Sequence, residues 1–154
     1  MGCQICYSES ESTVSDDLST DEVKGLLSVL AQMGVFTVAF GGGEPLARPY
    51  LFELAHYARQ LGLVPTLTTN GFYLDTKTAT RCRVFDHIHV SLDGVGDIYR
   101  SVRGVDGFGH AARAIRLLID NGILVGVNCV LCRANFDHLE ALAQFLTELG
   151  VQDV

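Results

Sequence analysis

The stretch His87-Ile88-His89-Val90-Ser91-Leu92-Asp93-Gly94 decides the fold. Ile88, Val90 and Leu92 alternate with His87, His89 and Ser91, so a strand here carries one apolar and one polar face. Three other strand candidates alternate in the same way. In Val35–Phe40, Phe36, Val38 and Phe40 oppose Thr37 and Ala39. In Val64–Thr69, Thr66 and Thr68 share a face with Asn70, and in Leu124–Leu131 Asn128 falls on the polar side. Strands of an open doubly wound sheet are covered on both faces and read as continuous apolar runs. One polar face across four strands predicts instead a barrel wall lining a wet lumen.

The segments between the strands are helical in pattern. Gly34, Gly62, Gly122 and Gly150 each close an apolar-periodic stretch, as a glycine just past a helix end does. Ser19 and Glu22 have capping-box spacing, and Val23, Leu26, Leu27, Leu30 and Met33 follow on one face. Further helices are expected at about Pro49–Leu61, Phe108–Asn121 and Phe136–Leu149, with a weaker one at Leu74–Arg83. A fifth strand is expected to begin at Val151. Alternating strands and helices imply a parallel sheet with right-handed crossovers. A complete eight-unit barrel takes ~200 residues or more. The predicted class is therefore α/β, a partial TIM-like (β/α) barrel of about four to five units, in a single domain over 1–154. Open edges at both ends of such a sheet favour self-association.

Composition agrees with a globular chain: 154 residues, 48% hydrophobic and 19% charged. A formal charge of −7 disfavours nucleic-acid partners. No apolar run reaches the ~20 residues of a membrane span, and residues 1–20 are polar and acidic, unlike a signal peptide. A cytoplasmic location is expected, with the five cysteines as thiols or metal ligands rather than disulfides.

Active sites of these sheets lie beyond the C-terminal strand ends. Gly41–Glu44, Asn70-Gly71, Ser91 with Asp93, and Asn128 to Arg133 all fall there, so four loops face one mouth. Cys3 and Cys6 precede the first helix as a C-x2-C pair, a spacing suited to a soft metal or an iron–sulfur cluster. Residues 1–17 are read as a cluster-binding loop and 18–154 as the βα repeats.

The C-x2-C pair, the Gly-Gly-Glu-Pro loop (Gly42–Pro45) and the Ser-Leu-Asp-Gly strand end (Ser91–Gly94) resemble a radical S-adenosylmethionine (SAM) enzyme core, most like members that mature peptides or cofactors. Cys3 and Cys6 match the second and third cysteines of the C-x3-C-x2-C motif that holds a 4Fe-4S cluster. The first would fall before Met1, so an N-terminally truncated core is expected, inactive by itself. The resemblance implies that Gly42, Gly43 and Glu44 bind the amino group of SAM. It gives Ser91 and Arg103 its carboxylate, with Arg100 a rival. Asn128 would lie against adenine and ribose, and Asn70 at the mouth. The implied chemistry is reductive cleavage of SAM to a 5′-deoxyadenosyl radical that takes hydrogen from a peptide or cofactor precursor. An electron donor such as flavodoxin or ferredoxin is implied with it.

Other readings remain open. His87, His89 and Asp93 fit a mononuclear metal-dependent hydrolase, although a lumen-lining hydrogen-bond role suits the histidines better. A non-catalytic barrel fragment is a third reading. Cys129 and Cys132 form a second C-x2-C, in which Cys129 is expected to face the helices and Cys132 the mouth. Cys82 reads as structural, and His56, His110 and His138 as solvent-facing. The acidic stretch from Glu9 to Asp17 reads as a mobile loop.

Overall fold

The computed structural model describes Cys3, residues 18–151 and Asp153. In chain order its elements are α1 (Thr20–Gln32), β1 (Thr37–Phe40), α2 (Leu51–Gln60), β2 (Val64–Thr69), α3 (Thr76–Arg81), β3 (His87–Ser91), α4 (Asp97–Arg103), α5 (Phe108–Asp120), β4 (Leu124–Asn128) and α6 (Leu139–Leu149). The four strands form one parallel sheet in the order β1-β2-β3-β4. This is the expected α/β arrangement, an unclosed arc of a barrel.

Alternation produces the two faces. Pro65, Leu67, Ile88, Val90, Val125 and Val127 are buried against the helices. Register places Ala39, Thr66 and His87 side by side on the other face, then Thr68, His89 and Gly126, then Ser91 and Asn128. The outer core includes Ala55, Leu74, Cys82, Ala111, Ile115, Leu118 and Leu146. Burial pushes the Cys82 thiol up to about 12, which makes it an inert packing residue. A second, smaller cluster of Leu27, Ala58 and Leu63 joins α1 to α2.

Helix ends follow the expected chemistry. Ser19 and Glu22 form the capping box of α1. Gly34, Gly62, Gly122 and Gly150 all have positive φ just past helix ends. The apolar face expected of α1 is only partly covered: Leu27 is buried, whereas Leu26 and Met33 are exposed.

Three boundaries differ from expectation. β4 stops at Asn128 rather than Leu131, because Val130 N–H donates to Asp93 Oδ1 at 2.7 Å and leaves the ladder. Helix α4, closed by Gly104 in the left-handed region, is not among the expected helices. The strand expected from Val151 is, among the described residues, one bridge between Gly126 and Asp153, with Val127 N–H donating to the Asp153 carbonyl at 2.9 Å. Among the described residues no helix is long and apolar enough to cross a membrane.

Candidate functional site

Two side-chain clusters sit at the C-terminal edge of the sheet. The first fixes the β1 loop to the β2 loop. Glu44 accepts from Thr69 Oγ1 (2.8 Å) and Leu46 N–H (3.1 Å) on Oε1, and from Asn70 N–H (2.8 Å) on Oε2. Burial raises its pKa, and these donors oppose the rise without cancelling it. An ionised carboxylate offers about four acceptor positions, so one remains for an incoming donor. Gly42 and Gly43 are exposed beside it, and Gly42 has φ 123°, a conformation that side-chain-bearing residues resist. Asn70 uses its side chain locally: Oδ1 accepts from Phe72 N–H at 2.9 Å, turning the chain after β2. Gly71 lets that turn rest on α5, where an added Cβ would lie 2.7 Å from Ala114 Cβ.

The second cluster ties the end of β3 to α4 and to the loop after β4. Asp93 is fully buried and takes Arg103 Nε on Oδ2 and Val130 N–H on Oδ1. Arg103 Nη1 also reaches Cys3 Sγ at 3.8 Å. Burial alone would lower the Arg103 pKa, but Asp93 reverses this and holds the guanidinium charged. Tyr99 lies under the guanidinium, 5.3 Å from its ring centre to Arg103 Cζ. Arg100 is exposed, so between the two arginines Arg103 occupies the mouth. Buried Asn135 closes the cluster: its Nδ2 donates to the carbonyls of Asp93 (2.9 Å) and Val130 (2.8 Å), and its Oδ1 accepts from Cys132 N–H.

Ser91 and Asn128 are partners in register at the strand ends, and the Asn128 carbonyl accepts from Leu92 N–H at 3.0 Å. Cys6 and the Glu9–Asp17 stretch lie outside the described residues. Cys129 packs against the core, as expected, and burial raises its pKa.

The hydrolase triad His87, His89 and Asp93 is not assembled. Asp93 has both oxygens committed to Arg103 and Val130, and the carboxylate beside the histidines belongs to Asp153. His87 Nε2 is buried without a hydrogen-bond partner among the described residues. Burial lowers the His87 pKa, and neighbouring His89 adds to the effect.

Sequence reading missed Asn135 and Asp153, and gave Thr69 no site role. The run Thr68-Thr69-Asn70-Gly71 did carry a signal for Thr69, a polar residue on the apolar phase of its strand.

The profile of the Radical SAM superfamily matches residues 1–146. The chain belongs to that superfamily. Among its radical SAM relatives, Fe-coproporphyrin III synthase of Methanosarcina barkeri is 33% identical over 95% of this chain. Mycofactocin maturase MftC of Mycobacterium tuberculosis is 33% identical over 97%. The chain spans 38% and 39% of their respective lengths. The solved structure of native anSMEcpe with bound AdoMet is 25% identical, with a TM-score of 0.82 over 99% of this chain and 46% of that one. Streptococcus suis SuiB bound to S-adenosylmethionine, 18% identical, shares the fold, with a TM-score of 0.83 over 98% of this chain and 36% of that one.

Proposed function

We propose that this chain is the cofactor-binding part of a radical SAM enzyme that acts on a peptide or a cofactor precursor. The observation that carries the reading is the meeting of Cys3, Arg103 and Asp93 at the same sheet edge as the Glu44 loop.

The residues present fit both groups. Cys3 Sγ lies 3.8 Å from Arg103 Nη1 at this edge, and cysteine sulfur is the usual protein ligand of an iron–sulfur cluster. Cys6 supplies a second thiolate from the same segment, residues 1–17, which together serve as the cluster loop. The remaining acceptor position of Glu44 and the backbone of Gly42 and Gly43 suit an ammonium group. Arg103 keeps N–H groups beyond those given to Asp93 and Cys3, and with Ser91 suits a carboxylate. Asn70 and Asn128 border the same mouth. When bound, a 4Fe-4S cluster and SAM supply one-electron reductive cleavage to a 5′-deoxyadenosyl radical, with flavodoxin or ferredoxin as the class of electron donor. The chain's own part is to hold, orient and shield.

Relatives of both substrate kinds support the substrate class. One neighbouring structure holds a bound Kp18Cys peptide, and another relative, 30% identical, is an AdoMet-dependent heme synthase of Methanosarcina barkeri.

The test is anaerobic reconstitution with iron and sulfide, in the 154-residue chain and in one extended so that a cysteine stands in motif register before Met1. Dithionite and SAM are then added and 5′-deoxyadenosine is quantified. The extended chain is expected to form it, and Cys3→Ser to abolish it. No product from the extended chain overturns the reading.

A further inference from the structure

Two imidazoles and a carboxylate meet inside the lumen, below the mouth. His87 and His89 occupy alternate positions of β3 and stack with ring centres 4.2 Å apart. Their Nε2 atoms lie 3.8 and 3.5 Å from one atom, Asp153 Oδ2, and all three donor atoms fall within 4.8 Å of one another. The backbone bridge between Gly126 and Asp153 delivers the carboxylate. Gly126 also clears the space. A Cβ there would sit 2.8 Å from His87 Nε2 and 2.8 Å from His89 Cδ2.

His87 Nε2 is the telling atom. It is buried and without a hydrogen-bond partner among the described residues, a state that is destabilising unless something occupies the nitrogen. A proton-bearing partner or a metal ion would relieve it. The neighbouring donors are a second imidazole and a carboxylate, the set that transition metals of intermediate softness select.

We propose that His87, His89 and Asp153 form a binding site for a zinc-type divalent ion in the lumen. Metal–ligand bonds of about 2.0–2.2 Å at tetrahedral angles place donor atoms roughly 3.3–3.5 Å apart. The distances of 3.5 and 3.8 Å to Asp153 are therefore within a few tenths of an ångström of closure. Three protein ligands leave one tetrahedral position for water or for a carboxylate of whatever fills the lumen. His89 lies one pleat repeat, about 6.6 Å, below Ser91, so the ion sits within reach of a molecule held under the mouth. None of the three ligands belongs to the mouth, so the site stands independently of the radical reading.

The test is Zn2+ calorimetry on the whole chain, with Co2+ absorption to report donor type. One equivalent is expected with nitrogen and oxygen coordination and no sulfur-to-metal charge-transfer band. Asp153→Asn and His89→Ala should each weaken that equivalent ~10-fold or more and leave any thiolate-bound equivalent unchanged. Asp153 has 57% of its side chain exposed, so Asp153→Asn removes a ligand without disturbing packing, which circular dichroism confirms. Gly126→Ala should weaken the same equivalent with every ligand still present. An equivalent retained at full affinity in both Asp153→Asn and His89→Ala overturns the proposal. So does the lack of any nitrogen- and oxygen-coordinated equivalent in the unaltered chain.

Discussion

Arg103 and Asp93 form a buried ion pair that locks the end of β3 to α4, and the same guanidinium carries on to Cys3 Sγ. Removing either partner strands the other's charge in a site where Asp93 is fully buried. Arg103→Ala should therefore cost about 3–5 kcal/mol in urea unfolding, well beyond a surface substitution. A loss under ~1 kcal/mol would show that the pair does not hold this edge together.

Glu44 joins two loops through three donors. In Glu44→Gln the amide NH2 must face either the Asn70 N–H or the donors from Leu46 and Thr69, so one bond becomes a clash between donors. The expected loss is about 1–3 kcal/mol near pH 7. Unchanged chemical denaturation would contradict the clamp.

The same carboxyl sets a pH dependence. Burial holds its folded-state pKa above the ordinary value of 4.5. The folded chain then binds this proton more tightly than the unfolded chain does. The Glu44 contribution is accordingly full below pH 4.5 and is lost as pH rises through the raised pKa. The stability difference between the unaltered chain and Glu44→Gln should shrink with rising pH over that window. A difference that grows with pH would mean the three donors outweigh burial.

Much of this architecture was readable because its signals are local. Strand alternation around Ile88 and Val90, the Ser19–Glu22 box and the glycines after the helices each act within a few residues. Helix α4 was not readable, since seven residues between Gly96 and Gly104 look like a loop until Tyr99 and Arg103 are buried by the rest of the chain. Asn135 likewise acts on Asp93, 42 positions away, and Asp153 reaches the histidines only through the bridge to β4. The mouth loops could be placed by topology. The pairing of Arg103 with Asp93, which removed Asp93 from the hydrolase triad, depended on contacts that no spacing encodes.

Asn135 is predicted to help Asp93 fix the loop after β4. Asn135→Ala removes the donors to the Asp93 and Val130 carbonyls and the acceptor for Cys132 N–H. Hydrogen exchange at Val130 and Cys132 should accelerate, with about 1–3 kcal/mol lost overall. Unchanged protection of the Val130 amide would show that Asp93 alone fixes the loop.

Cysteine chemistry should separate by burial. With its pKa pushed up to about 12 and no exposed surface, Cys82 should resist iodoacetamide at pH 8 until the chain unfolds. Mass spectrometry of the native chain that finds Cys82 alkylated as fast as Cys132 would contradict the packing around α3.

The most direct test of the mouth is calorimetric titration with SAM of the anaerobically reconstituted, cysteine-extended chain, comparing it as it stands with its Glu44→Gln and His89→Ala variants. The account predicts saturable binding that weakens ~10-fold or more in Glu44→Gln, equivalent to about 1.4 kcal/mol, and is unchanged in His89→Ala. Equal SAM affinity in the extended chain and its Glu44→Gln variant would contradict it.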